Sequence, residues 1–197
     1  MPQPPDVSFF TRYVIENPWP GGLLFLAVGA VLVMIGLRVG RWDRVRQGSV
    51  AAAVGALIFA IGFLVTSAGE HGQALAQRFV DAVVEGDLVA ANASLADRAR
   101  LHIGSPKNPG LSNERIREGL SEFVRRYEVE SNLVLARRGY GTGAGSAEVH
   151  LRLSTDAGMG PVLTAWIIGA ERTEEGEWVI VDLTWVALNG QTPAYPR

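Results

Sequence analysis

Asp182 is the side chain in this 197-residue sequence best placed to move a proton. It lies in the run EWVIVDLTWV, where alternation puts it on one strand face with Trp178, Ile180 and Thr184. A carboxylate among apolar neighbours loses hydration, which favours proton uptake and suits it to act as a base. Tyr140 and His150 are the donors that could stand opposite, and Arg152 could supply a counter-charge. The plainer reading pairs Asp182 with Arg152 in a salt bridge or turns it to solvent. Asp81 is the other candidate carboxylate, but it shares a polar helix face with Gln77 and Glu85 and is expected to be solvated. Neither has a second carboxylate paired with it by spacing, so no complete catalytic constellation is read and the chain is expected not to be an enzyme.

Other chemistries find less support. His71, His102 and His150 are far apart and lack the H-x-x-x-H spacing of metal ligands, so no metal is expected. The sequence has no cysteine, which excludes disulfides and thiolate chemistry. Residues 139–145, GYGTGAG, lack the phosphate-loop lysine and connect strand to strand, so they read as a hairpin connection. Asn92-Ala93-Ser94 matches a glycosylation signal but falls in an expected helix. No cluster of Lys and Arg interleaved with aromatics occurs beyond one short loop, so nucleic acid is not an expected partner. No cofactor is expected either.

The elements that must position these groups begin with two uncharged apolar runs, residues 21–37 and 50–69. Each has the length needed to cross a bilayer as helix, about 17–25 residues. Between them Arg38, Arg41, Arg44 and Arg46 face one acid, Asp43, and short Arg-rich loops stay cytoplasmic. Both ends of the chain are therefore expected outside the cytoplasm. The expected layout is an arm at 1–20, a hairpin at 21–69 with helices at about 21–39 and 49–69 around a basic loop at 38–47, a domain at 70–188 and a tail at 189–197. The arm is Pro-rich and nearly uncharged, unlike the start of a cleaved signal, so both spans are read as retained. Gly22, Gly29 and Gly36 recur every seven residues and Ala52, Ala56 and Ala60 every four. Small ridges of this kind let helices approach closely in lipid. The simplest partner for each ridge is the other helix of the hairpin; the alternative is another membrane protein. Neither span contains a histidine to hold a pigment at mid-membrane.

After residue 70 the pattern becomes α+β. Leu75, Phe79 and Val83 mark an amphipathic helix that Gly86 stops, and Asp87 is placed to cap a short alanine-rich helix through Leu88 and Leu95. A third helix carries Ile116, Leu120, Phe123 and Val124 on its buried side, with Ser112 as its cap. Beyond Tyr127 the residues alternate as strands, with Val149, Leu151 and Leu153 opposite His150 and Arg152.

The stretch QRFVDAVVEGDLVAANASLADRARL resembles the opening of NTF2-like (SnoaL-like, cystatin-like) domains, and EWVIVDLTW is similar to their closing strand. The resemblance covers residues 70–188 and implies three helices packed on a curved antiparallel sheet, fused to a two-helix membrane anchor. It implies a concave face that in such domains is filled, binds a small molecule, or hosts acid-base chemistry. In ketosteroid-isomerase-like members a carboxylate base works with acidic donors, for which Asp81, Tyr140, His150, Arg152 and Asp182 are the candidates here. Membrane-tethered members in secretion systems are assembly parts, which implies an accessory or scaffold role in a bacterial inner-membrane complex, whether secretory, respiratory or photosynthetic. Its expected partners are other integral membrane proteins and lipids. The alternative is a tethered module for a small apolar, lipid-like ligand, with a pocket lined by Trp166, Trp178 or Trp185.

Overall fold

The computed structural model describes residues 19–64, 66–143, 145–158 and 160–194. These residues form two compact units that part between Ser67 and Ala68. The expected arm lies outside the described residues except for Trp19 and Pro20, and the expected tail is described as far as Ala194.

The first unit is a pair of apolar helices, α1 (Trp19–Val39) and α2 (Trp42–Leu64), each long and apolar enough to cross a membrane. Only Gly40 and Arg41 join them, and Gly40 takes φ +69°, a conformation glycine enters without steric cost. The expected loop at 38–47 therefore shrinks to two residues, and Arg38, Arg44 and Arg46 stand on helix ends. The glycine ridge of α1 meets α2 directly. A methyl group built on Gly29 would sit 2.7 Å from the Ala52 nitrogen and the Gly48 oxygen. Gly22 faces the Phe59 ring, Gly36 faces Val45, and Gly48 and Gly55 return the contact against the Gly29 and Gly22 carbonyls. On α2 the seam thus runs through Val45, Gly48, Ala52, Gly55 and Phe59. The expected ridge of Ala52, Ala56 and Ala60 divides: Ala52 is in the seam, whereas Ala56 and Ala60 are exposed. A spacing of four turns about 40° off the axis at each step, whereas alternating steps of three and four stay on one stripe.

The second unit starts with α3 (Ala68–Glu85), whose Leu75, Ala76, Phe79, Val80 and Ala82 are buried. The expected span to residue 69 ends early because Gly69 serves this unit instead: its hypothetical methyl would lie 2.9 Å from the Gly139 oxygen. Gly86, at φ +75°, ends α3, and the Asp87 side chain accepts a hydrogen bond from Ala90 N at 2.9 Å to cap α4 (Leu88–Ala93). There follow β1 (Leu95–Ile103), α5 (Asn113–Arg126), β2 (Ser131–Gly143), β3 (Ser146–Asp156), β4 (Pro161–Arg172) and β5 (Trp178–Leu188). The five strands form one sheet in the order β1-β5-β4-β3-β2. Three pairings are antiparallel, as expected, but β1 runs parallel to β5.

β1 is the element the sequence reading lacks, since the helix expected through Leu95 stops at Ala93. Its alternation is broken by a register shift between Leu95 and Arg100, and its Ala and Arg residues favour strand weakly. Ser112 occupies the cap position of α5 without a side-chain bond. The core lies between α3 and the sheet, where Val149, Leu151, Ile168, Ile180 and Leu183 meet Leu75 and Phe79. Each large apolar side chain buried there contributes about 1.5–3 kcal/mol.

Candidate functional site

The sheet has two faces, and register assigns each side chain to one of them. Ala147, Val149 and Leu151 on β3 are buried beneath α3, where Gly72 lets the helix close to 2.8 Å between its hypothetical methyl and the Ala147 Cβ. Pairing carries this inner face across β4 through Trp166, Ile168 and Ala170, and across β5 through Ile180, Leu183 and Trp185. The three tryptophans expected to line a pocket spend their ring faces on other rings. Trp166 and Trp185 stack with centroids 5.9 Å apart, and Trp178 stacks on His71 at 5.4 Å. The indole nitrogen of Trp185 donates to the Ala187 carbonyl at 3.1 Å.

The outer face holds the groups that can exchange protons. Glu148, His150 and Arg152 alternate with the buried residues of β3, and register places Tyr140 beside Glu148 and Arg138 beside His150. On the other side Gly169 and Ile167 are followed by Asp182 and Thr184, then by Arg100 and His102 on the edge strand. Tyr140, His150, Arg152 and Asp182 therefore share one face, and the tryptophans lie on the other.

Asp182 departs from the expected face for a specific reason. Ile180 pairs with Ala170 and Asp182 with Gly169, so Val181 is an extra residue in the strand. That bulge reverses the alternation. Ile180 stays inside with Leu183, while Asp182 and Thr184 move to the outer face. The Asp182 side chain is 54% exposed there, and its partner is His102, not Arg152. His102 is held from both ends: Nδ1 lies 2.7 Å from the Asn108 carbonyl oxygen and Nε2 lies 3.3 Å from Asp182 Oδ1. A carbonyl only accepts, so Nδ1 carries the proton and Nε2 is the atom turned towards Asp182.

Two strands away a second histidine–carboxylate pair is more enclosed. His150 is 2% exposed, its Nε2 is 2.6 Å from Glu148 Oε1, and the Tyr140 ring meets it edge-on at 5.2 Å. Of the donors considered for Asp182, His150 thus serves Glu148 instead, and Tyr140 packs on His150. Among the described residues, Asp182 stands open to solvent and not enclosed among apolar neighbours. Asp81 lies on the exposed face of α3 and accepts from Gln77 Nε2 at 2.6 Å.

Sequence reasoning gives no sign of a third feature, a wide groove of about 870 Å³ between β1 and α5. Asp97, Asn113, Glu114, Arg117, Glu118 and Arg125 are among its lining residues. Asn113 donates to the Ala96 carbonyl at 2.6 Å and accepts from Arg117 Nε at 3.0 Å, while Arg125 pairs with Glu122. Its polar groups therefore largely satisfy one another. Of these lining residues only Asp97 lies on β1, and the others are on the polar side of α5. At the hairpin turn, Arg41 donates to Asp43 through Nη2 at 2.6 Å and Nε at 3.3 Å. That hydrogen bond, then the charge of Asp43, raises the Arg41 guanidinium above its ordinary value.

An α+β cone following two apolar helices defines the class: the domain from α3 onward has the NTF2-like, cystatin-like fold. An NTF2-like protein of unknown function from Pseudomonas putida superposes with a TM-score of 0.52 and 15% identity, over 61% of this chain and 86% of its own. A cystatin-like-fold protein from Caulobacter vibrioides gives 0.50 and 14%, over 59% and 87%. A ketosteroid isomerase-like protein from Erwinia carotovora atroseptica gives 0.49 and 15%, over 61% and 95%. The likeness to the Pseudomonas and Caulobacter proteins shows the fold and leaves the chemistry open. No protein-family model and no curated protein matches the chain in sequence.

Proposed function

We propose that this protein is a non-catalytic accessory or scaffold subunit of a larger bacterial membrane complex. The hairpin anchors it in the inner membrane with its arginine turn in the cytoplasm, and the α+β domain docks a partner protein on the other side. The observation that carries this reading is a row of apolar side chains on the outer sheet face. Leu133 and Leu163 flank Ser154 in register, with Leu135 beside them on a bulge. Leu133 is 62% exposed, and Leu135 and Leu163 are also well exposed. Solvated leucines grouped on one face are typical of a surface that another protein covers. The two histidine–carboxylate pairs support a structural role, since each ties neighbouring side chains of the sheet face to one another.

Two experiments test this. The absence of cysteine makes single-cysteine labelling free of background. In intact spheroplasts a membrane-impermeant maleimide is expected to label Ser105→Cys and to spare Gln47→Cys; the reverse result would overturn the orientation. A photo-crosslinker at position 133 is expected to capture one integral membrane protein that also co-migrates stoichiometrically on a native gel. Migration as a lone monomer, with no crosslink from 133, would overturn the scaffold reading and favour a tethered module for a small apolar ligand.

A further inference from the structure

The hairpin turn concentrates charge that the described residues do not balance. α1 and α2 are joined by only two residues, so Arg38, Arg41, Arg44 and Arg46 all lie within about two helical turns of the tip. Arg41 is committed to Asp43, whose carboxylate it grips through two nitrogens. Among the described residues Arg38, Arg44 and Arg46 have no acidic partner. Trp42 stands among them, 77% exposed, with Leu37 and Val39 exposed on the neighbouring helix end. Three uncompensated guanidinium groups beside a bare indole form a surface that neither water nor hydrocarbon satisfies alone. The interface of a bilayer satisfies both, because indole rings settle at headgroup level and guanidinium groups bind phosphate oxygens through a planar fork.

We propose that Arg38, Arg44, Arg46 and Trp42 form a basic collar around the turn that binds the phosphate headgroups of anionic phospholipids in the leaflet the turn occupies, Arg44 and Arg46 reaching to different sides of α2. Arg41 is outside this set because its fork is already filled by Asp43. The inference deepens the anchor reading and rests on the hairpin spanning the membrane. Topology alone asks only for positive charge in the turn. A lipid site asks in addition for retention of particular lipids after extraction, and for a dependence on fork geometry that lysine does not reproduce.

The test is native mass spectrometry of the full chain extracted gently from vesicles of phosphatidylcholine with one-fifth phosphatidylglycerol. The unmodified chain is expected to retain phosphatidylglycerol well above its share of the bilayer. The triple variant R38Q/R44Q/R46Q is expected to lose that enrichment at least tenfold, in keeping with about 1 kcal/mol per basic residue near an anionic surface. The triple lysine variant is expected to fall between them, and R125Q/R126Q on α5 to match the unmodified chain. Enrichment unchanged in the glutamine variant, or lost equally in the α5 variant, would overturn the site. Competition between the two lipids on the unmodified chain gives the same answer without substitution: no preference for the anionic lipid overturns it. Release of the chain by alkaline carbonate would instead overturn the membrane-spanning reading on which the site depends.

Discussion

Replacing Gly29 offers the sharpest check on how the hairpin is held. Its hypothetical Cβ lies 2.7 Å from both the Ala52 nitrogen and the Gly48 oxygen, about 0.7 Å inside the 3.4 Å at which ordinary contact begins. Both neighbours are backbone, so no rotamer change can make room, and the helices must separate or tilt. Separation also loosens the reciprocal contacts of Gly48 and Gly55, which have the same short reach in the opposite direction. Overpacking of this kind costs about 1–3 kcal/mol. Gly29→Ala also gains helix propensity of about 1 kcal/mol, which offsets part of that. Gly29→Leu has no comparable compensation and should lose more than the alanine variant. Ala27→Leu is the control, because Ala27 is exposed on α1 and adds the same kind of bulk outside the seam. The assay is a detergent titration of the full chain, with mixed micelles of rising dodecyl sulfate content and helix separation followed by energy transfer between dyes at the two helix ends. Gly29→Leu should lower the midpoint strongly and Ala27→Leu should leave it within about 0.5 kcal/mol. Equal midpoints for the two leucine variants would refute the glycine seam.

Three further outcomes follow from the α+β domain. Asp87→Ala removes the bond to Ala90 N and should destabilise the domain by about 1 kcal/mol in a denaturant titration, whereas Asp87→Asn should recover most of it. Ile180→Ala empties a fully buried position between α3 and the sheet and should cost about 2–5 kcal/mol in the same titration. His102→Ala releases the Asn108 carbonyl, so amide exchange across residues 104–110 should speed up while the core strands keep their protection.

Most of the domain was legible because its signals are local. Leu75, Phe79 and Val83 repeat within one helix, and Gly86-Asp87 marks a stop and a cap through contacts only a few residues long. β1 was not legible because its pairing partner, β5, lies at the far end of the domain and its own alternation is interrupted. The same limit explains Asp182. A bulge at Val181 is a property of two paired strands, and from one strand alone Asp182 and Ile180 share a face. The glycine ridge of α1 was readable as a ridge, and its partner follows from the structure. On α2 the small residues at 52, 56 and 60 form a tidy series, but packing follows the stripe through Gly48 and Gly55.

The parallel pairing of β1 with β5 has a consequence for biosynthesis. During synthesis β1 emerges early, with α3 and α4, yet the strand that completes its hydrogen bonds is the last of the domain to appear. β2, β3 and β4 can pair with one another as they emerge, but β1 has no place in the sheet until β5 is released. A ribosome stalled after β1 has emerged but before β5 has would therefore display an unpaired strand, the kind of surface that draws chaperones or aggregates. Premature stop codons within β5 should consequently be as damaging as those in the middle of the domain, because either kind leaves β1 without its partner.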